Sequence, residues 1–182
     1  MSSLAPLAPD AVLRRYFRAK DENRPHLLDR VFADNAMLEV RNATSTIAFP
    51  AITAGRDAIA DVLVRSFGQA FENVYSFYLR RPVGSLSHFE CDWTVFMTEK
   101  STRTPRLGWG SYQWVFEEAA PRLSRRLTIT IADMRVLDPG RTQELFAATA
   151  LLSYPWSSAE EVAQAAAAHP VLAPLDQWLR AR

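Results

Sequence analysis

The stretch Val31-Phe-Ala-Asp-Asn-Ala-Met-Leu-Glu-Val40 marks the change from helical to strand-like sequence in this chain of 182 residues. Before it, apolar residues recur at helical spacing. After Asp34-Asn35, which reads as a turn, they alternate. The stretch therefore reads as a hinge that folds two N-terminal helices back over a curved sheet, and such an arrangement encloses a cavity.

Upstream, Pro9-Asp10 opens the first helix, with Asp10 as its N-cap and Val12, Leu13, Tyr16 and Phe17 on one face. Residues 21–24 read as a break. Pro25 suits the first turn of a short second helix carrying Leu27, Leu28, Val31 and Phe32. Downstream, residues 36–41 read as a first strand and 46–49 as a second, joined by a hairpin loop and ended by Pro50, which has no amide hydrogen to donate. Gly55 precedes a third helix with Ile59, Val62, Leu63 and Phe67, expected to stop near Gly68.

Four longer strands follow, at 73–80, 89–98, 106–117 and 126–136. In the second of these Phe89, Cys91, Trp93, Val95 and Met97 share one face, and Glu90, Asp92, Thr94 and Thr98 the other. Trp93, Met97, Trp114, Phe116 and Ile129 are therefore expected inside. Glu90, Asp92 and Thr94 are expected in solvent or in an oligomer interface. Turn-like links between these strands predict an antiparallel meander. Asp138-Pro-Gly140 closes the sheet section. Helical sequence follows at 142–152, then from a Ser158/Glu161 capping box to Ala168, then in a segment aligning Leu172, Leu175, Trp178 and Leu179. The fold class is α+β: three N-terminal helices on a strongly curved, mostly antiparallel six-stranded sheet. Residues 1–138 form the domain, and 139–182 a helical extension of it, too apolar to be a free tail.

Composition narrows the partners. Net charge is +1, with 48% hydrophobic and 23% charged residues. That is a globular composition with no global attraction to nucleic acid or anionic membrane. No apolar run is long enough to span a bilayer. Residues 1–9 lack the basic start and apolar core of a signal peptide. Cys91 is the only cysteine, so no disulfide forms within the chain, and a cytoplasmic location is expected.

Tyr16 and Tyr112 are the sharpest chemical pair. Two phenols aimed into an apolar cavity can hold a carbonyl or enolate oxygen. The alternative is two core aromatics whose hydroxyls find backbone partners. Asp133 interrupts the run Leu127, Ile129, Ile131 and either reaches the cavity or pairs with Arg135. His88 begins a strand, as a base or as a surface residue. Phe77, Trp93, Met97 and Trp114, with Val40, are candidate walls of a ligand cavity or plain core. No cofactor is expected: the chain has no His, Cys and carboxylate cluster for a metal, no Gly-rich phosphate loop and no Gly-x-Ser-x-Gly elbow.

Several of these stretches resemble the NTF2-like superfamily, in particular its ketosteroid isomerase and SnoaL-like polyketide cyclase branches. They are Ala11-Val-Leu-Arg-Arg-Tyr-Phe17, Val31 to Val40, Gly55-x-x-x-Ile59, Tyr112-Gln-Trp-Val-Phe116 and Ile131-Ala-Asp-Met-Arg135. The resemblance implies a cone fold over residues 8–138. It leaves the activity open among isomerases, cyclases, dehydratases, epoxide hydrolases and members without chemistry. It implies that Tyr16 matches the tyrosine that hydrogen-bonds the isomerase substrate's carbonyl oxygen. The isomerase base would fall at Val40, and the protonated aspartic acid of the oxyanion hole at Tyr112. Two donors thus stand without a base, which disfavours ketosteroid-type isomerisation. The expected function is binding of a small apolar, carbonyl-bearing molecule, with cyclase- or dehydratase-like turnover. The second reading is a non-catalytic dimerisation or partner-binding module. A homodimer paired through the outer sheet face is implied by the same resemblance.

Overall fold

The computed structural model describes residues 7–182. Helix α1 (Pro9–Asp21) buries Val12, Leu13, Tyr16 and Phe17, as their spacing predicts. It begins after Ala8, and Asp10 does not cap it. The Asp10 carboxylate instead pairs with Arg81 at 2.8 Å. A 3-10 turn (Pro25–Arg30) leads into strand β1 (Phe32–Asn42), and β2 (Ile52–Ala54) pairs back on it. Helix α2 (Arg56–Ala60) continues through a π-helical stretch (Asp61–Ser66) into α3 (Phe67–Ala70). Strands β3 (Phe71–Tyr78), β4 (His88–Glu99), β5 (Pro105–Phe116) and β6 (Ser124–Val136) complete the sheet.

The sheet has six strands in the order β2-β1-β6-β5-β4-β3. Only β1 and β6 run parallel, so the meander is closed by bringing its first and last long strands together. Bulges interrupt β1/β6, β3/β4 and β5/β6. Each extra residue bends and twists the sheet, which wraps it around the N-terminal helices.

Three local expectations are corrected. Asp34 and Asn35 are not a turn between elements but exposed residues inside β1, where the register with β6 jumps between Phe32 and Met37. Their turn preference appears as a bulge. The second strand is not at 46–49. Pro50 cannot donate to a ladder, and pairing begins only beyond it, with Leu38 opposite Thr53. Residues 43–51 form a loop instead. Asn42 holds it by accepting from the Thr44 amide at 3.1 Å and donating to the Ile47 carbonyl at 2.6 Å. The third helix runs past Gly68 to Ala70.

The largest correction is on the outer face. Phe89, Cys91, Trp93, Val95 and Met97 are all buried against the helices, as expected. Thr94, expected outside, is fully buried, and its hydroxyl donates to the Gly108 carbonyl at 2.9 Å. Glu90 is exposed and Asp92 half-buried. The cause is a second apolar cluster on this face. Phe77, Phe96, Leu107 and Trp109 pack there against residues from α4 (Thr142–Ala148), α5 (Ala159–Ala168) and α6 (Ala173–Arg180), including Leu145, Val162 and Leu175. Residues 155–157 also lie along the free edge of β3. The Tyr78 amide donates to the Pro155 carbonyl and the Ser157 amide to the Tyr78 carbonyl, each at 2.8 Å. The part of the outer face around Phe77, Phe96, Leu107 and Trp109 is thus covered by the chain's own helices. Ser158 caps α5 by accepting from the Glu161 amide. The Glu161 carboxylate turns to the Ser153 amide and the Ser157 hydroxyl rather than back to Ser158.

Two outcomes follow from this packing. Removal of residues 140–182 uncovers Phe77, Phe96, Leu107 and Trp109. The truncated chain should bind an apolar dye and elute as aggregates on size exclusion, whereas a monodisperse, dye-silent truncation would show the outer face to be self-sufficient. Gly110 and Gly108 should respond differently to alanine. A methyl at Gly110 would collide with the Thr130 backbone carbonyl, which cannot move without breaking the β5/β6 ladder. At Gly108 it would meet the flexible end of Met134. Gly108→Ala should cost about 1–3 kcal/mol in denaturant melts, the usual range for overpacking, and Gly110→Ala clearly more.

Candidate functional site

A cavity of about 40 Å³ lies between the concave sheet face and the helices. One water needs about 10–15 Å³ on this measure, so the space is that of a few waters or a small organic group. Its walls are mostly apolar: Val40 from β1, Leu63 and Phe67 from the third helical segment, Trp93 and Val95 from β4, Ile129, Ile131 and Met134 from β6. Ile47 and Phe49 enter it from the loop at 43–51.

Helix α1 contributes two polar side chains one turn apart, Tyr16 and Lys20, and β5 contributes Tyr112. The Tyr16 and Tyr112 rings meet edge to face at 6.1 Å. Tyr112 stacks on Trp93 at 5.5 Å, and Tyr16 packs edge-on against Trp114 at 5.1 Å. The Tyr16 hydroxyl is buried with no hydrogen-bond partner. Burial pushes the Tyr16 phenol well above the usual tyrosine range. The Tyr112 hydroxyl acts in the opposite sense on it, without completing a hydrogen bond of normal geometry. Burial, then the neighbouring Tyr16, raise Tyr112 likewise. Both phenols are therefore neutral donors at physiological pH. Tyr78, the third buried phenol nearby, already donates to the Leu13 carbonyl at 2.9 Å. That contrast separates a structural tyrosine from one with its hydroxyl unspent.

Lys20 is not among the site residues expected from sequence, because a lysine beside the break at 21–24 reads as a surface residue. Its place in the periodicity does carry the signal. Val12, Leu13, Tyr16, Phe17 and Lys20 continue one buried helical stripe. The Lys20 ammonium donates to Asp21 Oδ1 at 2.6 Å and to Ser76 Oγ at 2.7 Å. It lies 4.9 Å from the centre of the Phe67 ring and 5.6 Å from that of Phe17. Asp21 also accepts from the Ser76 amide and hydroxyl, at 2.8 and 2.9 Å. The pair is almost wholly buried, with side chains 7% and 3% exposed. Loop residues Ile47 and Phe49, and Ser76 on β3, are further lining groups that sequence reading did not single out.

Of the expected wall, Val40 and Trp93 line the cavity, and Phe77, Met97 and Trp114 do not. Phe77 faces the C-terminal helices. Met97 and Trp114 are buried in the inner core, Trp114 between Tyr16 and Phe32. Asp133 does not reach the cavity either. The bulge that sets Trp109 opposite Asp133 and Gly110 opposite Ile131 shifts β6 by one residue, so that Met134 points inward after Ile131. Asp133 accepts from the Met134 amide at 2.8 Å and pairs with Arg135 at 3.1 Å. His88 is exposed beside Ser87. Cys91 is buried, and burial raises its thiol far above the range of a reactive cysteine. Among the described residues no three His, Cys, Asp or Glu side chains converge as a metal site requires, and no helix is long and apolar enough to cross a membrane.

No family model and no curated protein matches the sequence. Solved structures are similar in fold. An NTF2-like superfamily protein from Salmonella enterica serovar Typhimurium superposes with a TM-score of 0.57 at 13% identity, over 68% of this chain and 88% of that one. A protein with a ketosteroid isomerase-like fold from Catenulispora acidiphila, solved with trimethylamine, gives 0.53 at 15% identity, over 68% and 85%. A hexachlorocyclohexane dehydrochlorinase, LinA-type3 from Novosphingobium barchaimii, gives 0.51 at 14% identity, over 69% and 85%. The chain has the NTF2-like fold.

The unpartnered Tyr16 hydroxyl leads to a stability test. A buried donor without a partner costs about 1–3 kcal/mol. Tyr16→Phe removes that donor and leaves the ring packing in place. The ligand-free variant should be as stable as the parent or more stable, by about 1 kcal/mol, which for a chain this size raises Tm by about 2–4 °C. A clear loss of stability would mean that the hydroxyl is already satisfied.

Proposed function

We propose that the cavity binds a small, largely apolar molecule through a carbonyl or equivalent oxygen, with Tyr16 and Tyr112 as its hydrogen-bond donors. The observation that carries this reading is the buried Tyr16 hydroxyl, unpartnered beside Tyr112 at an apolar cavity. An orphan donor costs stability, and an incoming acceptor offsets that cost. Val40, Trp93 and Ile129 give the rest of the ligand an apolar surface.

Cyclase- or dehydratase-like turnover on this site remains part of the proposal, in keeping with structural neighbours whose names span ketosteroid isomerase-like proteins and a dehydrochlorinase. A double-bond shift of the ketosteroid type does not fit. Proton abstraction needs an acceptor within hydrogen-bond reach of the substrate carbon, and losing such a base removes about 10² to 10⁴ in rate. Valine at position 40 moves no proton. The dimerisation reading has less to support it, because the C-terminal helices cover apolar residues of the outer face.

A screen of small ketones, enones and aromatic carbonyl compounds by intrinsic tryptophan fluorescence and thermal shift tests the proposal. Saturable binding should appear for some of them. Tyr16→Phe should raise the Kd by about 3- to 10-fold, the loss of one neutral hydrogen bond. Equal affinity in Tyr16→Phe, or no binding across the screen, would remove the two-phenol site. An unconjugated cyclic enone should not isomerise faster than in buffer. Rapid isomerisation would reveal a base other than residue 40.

A further inference from the structure

We propose that the cavity selects an anionic ligand, a small carboxylate or enolate, and that Lys20 is the residue that selects it. The inference rests on the binding site proposed above and names its ligand class. Lys20 lines the cavity together with Tyr16, one helical turn before it. An ammonium has three N–H donors. Two are spent, on Asp21 Oδ1 and Ser76 Oγ, and among the described residues the third has no hydrogen-bond partner.

The orientation of the ion pair decides which of its groups a ligand would touch, while the Asp21 charge still reaches Tyr16 and Tyr112 and helps to raise both phenols. Lys20 and Ser76 line the inner cavity, whereas Asp21 lines a separate groove beside Tyr75, Phe77 and Tyr154 on the other side. The positive end of the pair therefore faces inward and the carboxylate stands behind it. The Ser76 hydroxyl accepts from Lys20 and donates to Asp21, so its proton is also directed away from the cavity. No carboxylate lines the cavity to oppose an incoming anion. An oxygen anion entering here meets an ammonium and two neutral phenols in apolar surroundings, where charge-assisted hydrogen bonds are strongest. A pair serving only to fasten α1 to β3 would need neither a cavity at its cationic end nor an orphan phenol one turn away.

The test compares isosteric probes of two charges: isobutyrate and benzoate against methyl isopropyl ketone and acetophenone, read by intrinsic tryptophan fluorescence and by NMR shifts of the intact chain. Each carboxylate should bind at least 10-fold more tightly than its ketone. The preference should disappear in a Lys20→Met/Asp21→Asn double variant, which removes both charges so that neither stays buried alone. Tyr16→Phe should weaken both classes and keep the preference. Equal binding of ketone and carboxylate by the parent protein would overturn the selection by Lys20 and leave the two-phenol site standing. Absence of binding by either class would overturn both. Because the parent comparison needs no substitution, an unfolded double variant does not protect the idea.

Discussion

Strand β4 is buried on both faces from Trp93 to Thr98, and the rest of the structure follows from that constraint. Its inward residues, from Phe89 to Met97, pack under the N-terminal helices, and Phe96 and Thr94 lie under cover on the other side. A strand wrapped in this way needs a layer on each face. The N-terminal helices supply one, and α4 to α6 the other. Residues 155–157 then pair with Tyr78 at the end of β3, where the sheet edge would otherwise offer unpaired backbone groups. The C-terminal helices are thereby the second side of the sheet's core, not an appendage to it.

Much of this was legible in the sequence, for a physical reason that also marks where legibility stops. The inward set along β4 and the stripe along α1 are periodic signals, and both hold residue by residue. What failed was what periodicity cannot see. The expected second strand contained β-formers, yet the ladder starts only beyond Pro50, because a strand requires a partner's hydrogen bonds and not propensity alone. The outer face was misjudged because Glu90, Asp92 and Thr94 look like one polar set. Only tertiary contact shows that Glu90 lies beyond the helices, Asp92 at their margin and Thr94 beneath them. A hydroxyl can be buried at no net loss once it donates to a strand carbonyl, as Thr94 does to Gly108.

The site obeys the same division. Tyr16, Tyr112, Val40 and Trp93 were readable because each continues a regular pattern. Of the two readings of Asp133, a single bulge decides for the pair with Arg135, since one inserted residue exchanges inward and outward side chains. The consequence is chemical as well as geometric. With Met134 in the cavity and Asp133 outside it, β6 contributes a soft apolar surface where regular alternation past the bulge would have offered a carboxylate. Lys20 was overlooked for the opposite reason. The helical pattern did place it inward, but a lysine is read as surface by default. A buried lysine needs a counter-ion, and that counter-ion was the next residue, inside a segment read as a break.

The walls of the cavity are not equally firm, and this bears on what can enter it. Trp93, Tyr112 and Ile129 stand on adjacent strands whose pairing is regular around them, from Gly110 to Val115 on β5, and Tyr16 and Lys20 on a helix pinned to β3 through Asp21 and Ser76. Ile47 and Phe49 belong to a loop with no ladder. It is held by the Asn42 amide on the Ile47 carbonyl, by the Thr46 hydroxyl on the Met134 carbonyl and by Arg106 on the Thr46 carbonyl. Losing a few such bonds costs less than parting two strands. A ligand larger than the present space therefore displaces Ile47 and Phe49 before it displaces either phenol. The polar end of the site stays ordered while the apolar end adapts. On the proposed reading, such a site would be selective in the oxygen it holds and permissive in the hydrocarbon attached to it.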